Sequence, residues 1–251
     1  MNIQRDSKGY NNDFSFVPQY GEAVMDLITA PQGSTVLDLG CGNGSLTGKL
    51  RDLGYGVIGL DDSDAMVELA KRDYPDLPFM QANALDFKLD EQVDVVFSNA
   101  VFHWIDGDKQ QTLLDNVAAN LKPGGELVVE FGGYGCAAAV HTTLARLFEK
   151  RGLNYIFQFY FPTIGQYAPM LEKAGFKVEY AILSDRPTVQ KSEDGLADWI
   201  RMFDKAPFEG MDEALKEEII AEAKEELYPV LRKDGRWFVD YTRIRFRARK
   251  L

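Results

Sequence analysis

VLDLGCGNGSL, residues 36–46, runs an apolar strand pattern straight into glycines at every second position: Gly40, Gly42 and Gly44. Glycine loses more conformational freedom on folding than any other residue, so a cluster of them needs a reason. Here they stand between a strand and a helical pattern at 45–53. That context suits a turn with bare backbone, close to which a ligand can lie, with the helix N-terminus adding partial positive charge. The spacing is G-x-G-x-G, and the third glycine of the dinucleotide pattern G-x-G-x-x-G would fall on Ser45. Asp38, two positions before the first glycine, would repel a pyrophosphate and suits a ligand with an ammonium group.

Outward from the loop, short apolar runs alternate with helical patterns. TVLDLG is the first strand and GVIGL the second, followed by a helix over 63–72 with Met66, Val67 and Ala70 on one face. Ser63 is of the type that caps helix N-termini. PFMQAN reads as a short third strand, and the unbroken apolar run of VDVVFSN as a fourth covered on both faces. A helix over 109–121 stops at KPGG before the fifth strand, ELVVEFGG. This alternation predicts a parallel sheet with helices on both faces.

The second half is less regular. CAAAVHTTLARLFEKRG reads as a helix stopped at Gly152. FPTIGQYAPMLEKAGF starts at a proline–threonine signal, is expected to break or to have a short first segment at Pro169, and ends at Gly175. KVEYAIL is the sixth strand, and 187–240 reads as mainly helical, with Leu215, Ile219, Ala223 and Leu227 on one face. YTRIRFRARK alternates strictly and makes the last strand. Its Arg243, Arg245, Arg247 and Arg249 are expected to stand solvated at the edge region of the sheet, with Ile244, Phe246 and Ala248 inward.

The net charge of −11 offers nucleic acid no attractive field, so no nucleic-acid partner is expected. No apolar stretch approaches the roughly 18 residues of a membrane span, and the polar opening MNIQRDSKGYNNDF lacks the apolar core of a secretory signal. A cytoplasmic protein without membrane contact is expected. Cys41 and Cys136 follow the first and fifth strands, so one intervening strand would hold them roughly 9–10 Å apart, too far for a disulfide. With His103 and His141 they form no metal-binding spacing, and no metal is expected. The sequence carries no signal for an oligomeric state.

Further candidates fall at the carboxyl ends of strands, where open parallel sheets place ligands. Asp61 ends the second strand, and its carboxylate can accept from both hydroxyls of a ribose. Asn83 and Ala84 follow the third strand; the amide oxygen of Asn83 can meet an exocyclic amine, and Met66 can pack on a ring face. Ser98 and Asn99 end the fourth strand within SNAVFHW.

The order D-x-G-x-G-x-G, then G-x-D-x-S-x-x-M (Gly59, Asp61, Ser63, Met66), SNAVFHW and LKPGGELVVE resembles the class I S-adenosylmethionine-dependent methyltransferases over about residues 16 to 185. SNAVFHW, FPTIGQYAPMLEKAGF and the helical tail from WIRMF resemble most the trans-aconitate methyltransferase-like branch. The resemblance implies S-adenosylmethionine as cofactor. It implies Asp38 and the backbone of Gly40, Gly42 and Gly44 on the methionine portion, and Asp61 on the ribose. Met66, Asn83 and Ala84 would meet the adenine, with Ser98 and Asn99 flanking the methionine arm. Asn83 departs from the aspartate usual at its position. An N-terminal segment within 1–30 would fold over the cofactor, with Tyr20 in contact and Tyr10 or Phe16 as lid residues; packing that segment onto the core is the plainer role. The implied fold is one α/β domain over 1–251. It has a Rossmann-like, mostly parallel seven-stranded sheet with helices on both faces and an antiparallel last strand at 241–251. A cofactor core occupies 34–132, and insertions at 133–172 and 187–240 form a helical cap.

Such an enzyme moves a sulfonium methyl to a small-molecule acceptor, carboxylates among the candidates. Its task is mainly in-line positioning, worth roughly 7–11 kcal/mol. A carboxylate needs no general base; a hydroxyl, amine or acidic carbon would use one, and His103 is the histidine placed for it. In the alternative, His103 and Trp104 only shape the loop after the fourth strand. Trp104 and Tyr10 are the candidate acceptor contacts. NYIFQFYFP, Trp199, Phe203 and Trp237 are expected to be mostly core, with a few rings over the acceptor. A polycarboxylate would call for arginine forks, for which Arg5, Arg186 and Arg201 are candidates. Two other classes stay open: a nicotinamide-dependent oxidoreductase on a related fold, against which Asp38 and Ser45 speak, and a non-catalytic S-adenosylmethionine-binding protein.

Overall fold

In a computed structural model that describes residues 23–251, the apolar runs become the strands of one sheet. β1 (Thr35–Leu39), β2 (Gly56–Asp61), β3 (Phe79–Gln81), β4 (Val93–Asn99) and β5 (Leu121–Gly132) are parallel, in the order β3-β2-β1-β4-β5. β6 (Phe176–Val189) lies beyond them, and β8 (Arg236–Lys250) is inserted antiparallel between β5 and β6. The strands number eight, not the expected seven, because β7 (Arg232–Lys233) pairs with the start of β8. The turn between them holds Asp234 and Gly235 at φ 49° and 72°, the left-handed pair that tight hairpins favour. A strand of two residues shows no alternation, and Asp234-Gly235 at the turn is the sequence sign of the hairpin.

Successive residues of the central strands feed opposite faces. Val36, Val95 and Val128 pack with Val24, Leu50 and Phe97 on one side; Leu37, Val96 and Val129 pack with Leu113, Leu114 and Tyr167 on the other. Strands apolar on both faces need cover on both. It comes from α1 (Ser45–Asp52), α2 (Asp64–Asp73), α3 (Gln110–Asn120) and α5 (Ile164–Lys173), with α4 (Ala138–Lys150) between α3 and α5 in the chain. Thr163 and Gln166 close a reciprocal capping box at the start of α5. The expected break at Pro169 is absent: the helix runs through it. The ring removes only the bond to the carbonyl of Gly165 in the opening turn, and fully buried Tyr167 and Leu171 hold the segment on either side. Ser63 occupies the N-cap position of α2 without a side-chain cap; Asp61 Oδ1 accepts its N–H instead.

α4, α6 (Gly195–Phe203) and α7 (Glu213–Leu231) share a separate apolar cluster with Trp237, Val239 and Tyr241 of β8. Between α4 and α5, residues 154–163 run without helix or strand pairing.

The arginine face of β8 is not solvated, a correction with a topological cause. Because β8 lies inside the sheet, Arg245 reaches Glu130, Arg247 reaches Glu179, and Arg249 reaches Glu126 and Glu179. Glu126 and Glu130 are 3% and 1% exposed, so these pairs neutralise carboxylates that burial would otherwise disfavour. Among the described residues, no helix is long and apolar enough to cross a membrane.

Candidate active site

Sheet order reverses at β1, whose neighbours β2 and β4 leave a crevice at their carboxyl ends. Gly40, Gly42 and Gly44 all take left-handed φ values there, 78°, 54° and 79°. At Gly40 and Gly44 the protein itself supplies a further reason, since a Cβ would lie 2.2 Å from Val101 Cγ2 and 2.8 Å from Phe79 Cζ. At Gly42 no atom of the described residues lies within 4 Å of that position. Gly42 N–H donates to Asp61 Oδ2 at 2.9 Å, and Ser63 N–H to Asp61 Oδ1 at 3.0 Å. The carboxylate is thus fixed by two backbone donors, and each oxygen keeps a lone pair for a ligand. A cleft opens at this edge, with Gly40, Asp61, Asn83, Ala84, Val101 and Trp104 in its wall.

The other candidates divide. Asp38 stands behind the loop, 1% exposed, accepting the Thr47 hydroxyl from α1 at 2.7 Å. Burial pushes its carboxyl up to about 7, against the Thr47 hydrogen bond and with help from the charge of Asp61. Ser98 is fully buried, and its hydroxyl donates to the Leu39 carbonyl at 2.7 Å, bracing β4 against β1. Met66 is 1% exposed in the face of α2. Asn83 Oδ1 already takes Leu85 N–H at 2.9 Å, tightening the turn after β3. Asn99 lies two residues beyond the Asp38–Phe97 register pair, level with Gly40, and its buried Oδ1 has no hydrogen-bond partner among the described residues. Arg5, Tyr10, Phe16 and Tyr20 lie outside the described residues.

A second cavity shares Trp104 with the first. Ala100, His103, Phe159, Phe161, Trp199, Phe203, Tyr241 and Arg243 are in its wall. Phe159 and Phe161 stack at 5.3 Å with rings 5° from parallel. Among the described residues three non-glycines have positive φ, and two of them, Ala100 (62°) and Ala137 (53°), line this space. Left-handed backbone costs an alanine roughly 1–2 kcal/mol, and such strain concentrates at working sites. Cys136 also lines the cavity, and burial pushes its thiol up, so it stays a protonated wall atom rather than a thiolate.

His103 sits in this wall with its basic nitrogen engaged: Nδ1 accepts Gly132 N–H at 3.1 Å. A ring accepting at Nδ1 carries its proton on Nε2 and presents a donor there. Arg186 is bridged to Glu130, and Arg201 to Glu217 and Asp198, so neither of these two candidate forks faces the cavity.

Residues 37–129 match the family described as Methyltransferase domain. These residues are a methyltransferase domain. The methyltransferase is 29% identical over 262 residues to an uncharacterized methyltransferase of Schizosaccharomyces pombe, covering 97% of each chain. It is 28% identical over 236 residues to the trans-aconitate 2-methyltransferase of Klebsiella pneumoniae, covering 91% of this chain and 90% of that enzyme. A crystal structure of a methyltransferase candidate from Bacillus halodurans superposes with TM-score 0.65 at 17% identity, covering 92% of this chain and 99% of that one, a likeness of fold. The nicotinamide reading has no place in this family. The cofactor is S-adenosylmethionine, and the residues present suit it. Space is open over Gly42, Asp61 offers a twice-anchored acceptor, and the unsatisfied Asn99 Oδ1 is suited to an ammonium donor.

Sequence reasoning missed Ala137 and Arg243 in the second wall. The available signal is direction: an antiparallel last strand begins at the ligand edge of the sheet, so its opening residues are site candidates.

Proposed function

We propose that this methyltransferase methylates a small-molecule carboxylate seated in the aromatic cavity beside the cofactor. The observation that carries the reading is the pair of cavities that share Trp104, one with a ribose-type acceptor and bare backbone, the other walled mainly by aromatic rings. When bound, S-adenosylmethionine supplies a methyl group on a positively charged sulfur that leaves as a neutral thioether. The protein then has three tasks. Asp61 and the glycine loop hold the nucleoside, and Asn99 takes the ammonium end. Trp104, Phe159, Phe161, Trp199 and Phe203 hold the acceptor and exclude water, which strengthens charge interactions inside. Trp104, which lines both cavities, and Ala100 beside it would lie between the acceptor and the cofactor.

A carboxylate oxygen is already a nucleophile, so no proton has to be removed, consistent with Nδ1 of His103 being engaged. The trans-aconitate methyltransferase among the relatives supports the acceptor class. The test is a methyl-transfer assay with radiolabelled S-adenosylmethionine against carboxylates, phenols, amines and lipids. Label extracted as a base-labile methyl ester supports the reading; label confined to amines, phenols or lipids contradicts it.

A further inference from the structure

Arg243 lies at the start of the inner half of β8, in register with Gly132 on β5 and Ser184 on β6. It is 7% exposed, and its Nε is buried without a hydrogen-bond partner. The neighbouring cations are matched: Arg186 and Arg245 share Glu130, while Arg247 and Arg249 take Glu179 and Glu126. Arg243 has no acidic partner among the described residues. Its guanidinium lies 4.4 Å from the centroid of the Tyr241 ring, and both residues line the aromatic cavity. Stacking on a ring face attracts the cation while leaving the in-plane N–H donors at the guanidinium edge available.

An unpaired buried cation costs several kcal/mol after relaxation, more than one aromatic face returns. A protein that keeps one in the wall of a cavity has a use for an anion there. We propose that Arg243 is the acceptor-recognition residue of this methyltransferase, holding a carboxylate of the substrate through its guanidinium edge. The proposal rests on the acceptor reading above and adds the residue that selects for anions. It also explains the composition of the wall. Aromatic rings and strained alanines leave the guanidinium as the one cationic group lining the cavity among the described residues.

The test pairs activity with a binding readout. Steady-state kinetics are measured with trans-aconitate and benzoate as probes, for the wild type, Arg243→Gln and Arg243→Lys. Thermal shifts with the same acids are measured in the presence of S-adenosylhomocysteine. Arg243→Gln is expected to raise the KM for the methylated acid at least thirtyfold and to abolish the acid-induced thermal shift. Affinity for S-adenosylhomocysteine should stay within threefold, which also shows that the variant is folded. Arg243→Lys keeps the charge but loses the fork, and its KM should fall between the two. A KM for Arg243→Gln within threefold of wild type, or an unchanged thermal shift, overturns the proposal while leaving the methyl-transfer reading intact. An Arg243-dependent thermal shift without methyl-ester formation supports Arg243 as the anion site and overturns the carboxylate-methylation reading instead. Absence of any acid-induced shift in the wild type overturns the Arg243 proposal.

Discussion

The two cavities that meet at Trp104 are built by different means. The first is made of strand ends and turns that follow one another between Leu39 and Lys109, and its polar groups are tied to backbone. The second gathers residues from Ala100 to Arg243, and its wall is mostly rings carried on an extended segment and on α6. The cofactor half thus depends on local geometry, the acceptor half on long-range placement. Substitutions in one should leave ligand binding at the other largely intact.

The largest break in that comparison is expected at Asp61. Hydrogen bonds to a charged group contribute about 1.5–3 kcal/mol each, so Asp61→Ala should weaken S-adenosylhomocysteine binding at least about a hundredfold by calorimetry. A loss under fivefold would remove Asp61 from the ribose. Next comes the loop itself. Gly40→Ala combines left-handed strain with a Cβ 2.2 Å from Val101 Cγ2, and should cost roughly 2–4 kcal/mol in urea denaturation. Gly42→Ala has the strain but open space at the Cβ, so its stability loss should be roughly 1–2 kcal/mol. Its cofactor affinity should nonetheless drop the more steeply of the two. Equal stability losses would show that the contact at Gly40 relaxes freely.

A pH experiment sharpens the role of Asp38. Its folded carboxyl is pushed up to about 7 by burial, above the unfolded value of about 3.9. Between these values the folded state binds a proton that the unfolded chain releases, so this group makes stability fall as pH rises from about 4 to 7. Asp38→Asn should remove that slope, gaining on the wild type by roughly 1–4 kcal/mol between pH 4 and pH 8. A difference that stays constant with pH would contradict the burial account. The smallest effect is expected at His103: with a carboxylate acceptor, His103→Asn should lower kcat less than tenfold. A loss of a thousandfold would restore it as the base.

How much of this was legible in sequence follows the same division. Strands β1 to β5 and the glycine loop could be read because period-two burial on both faces and local turn chemistry are written in neighbouring residues. Asp61 could be placed because it ends a strand of that series. Asp38 was legible as an acid near the loop, but its partner, Thr47 of α1, decides that it turns inward. The β8 arginines misled because their acids sit on β5 and β6, more than sixty residues away. Pro169 misled because a helix pinned by Tyr167 and Leu171 tolerates one lost bond. Arg243 was hidden for the topological reason alone: strict alternation gives its face, and only strand order tells that the face closes a cavity.

The account is tested most directly by a crystal structure of the protein with S-adenosylhomocysteine. It predicts the ribose on Asp61 and the sulfur at the Ala100–Trp104 border, directed toward the cavity that holds Phe159 and Arg243. A nucleoside bound away from Asp61, or a sulfur facing away from that aromatic space, would contradict it.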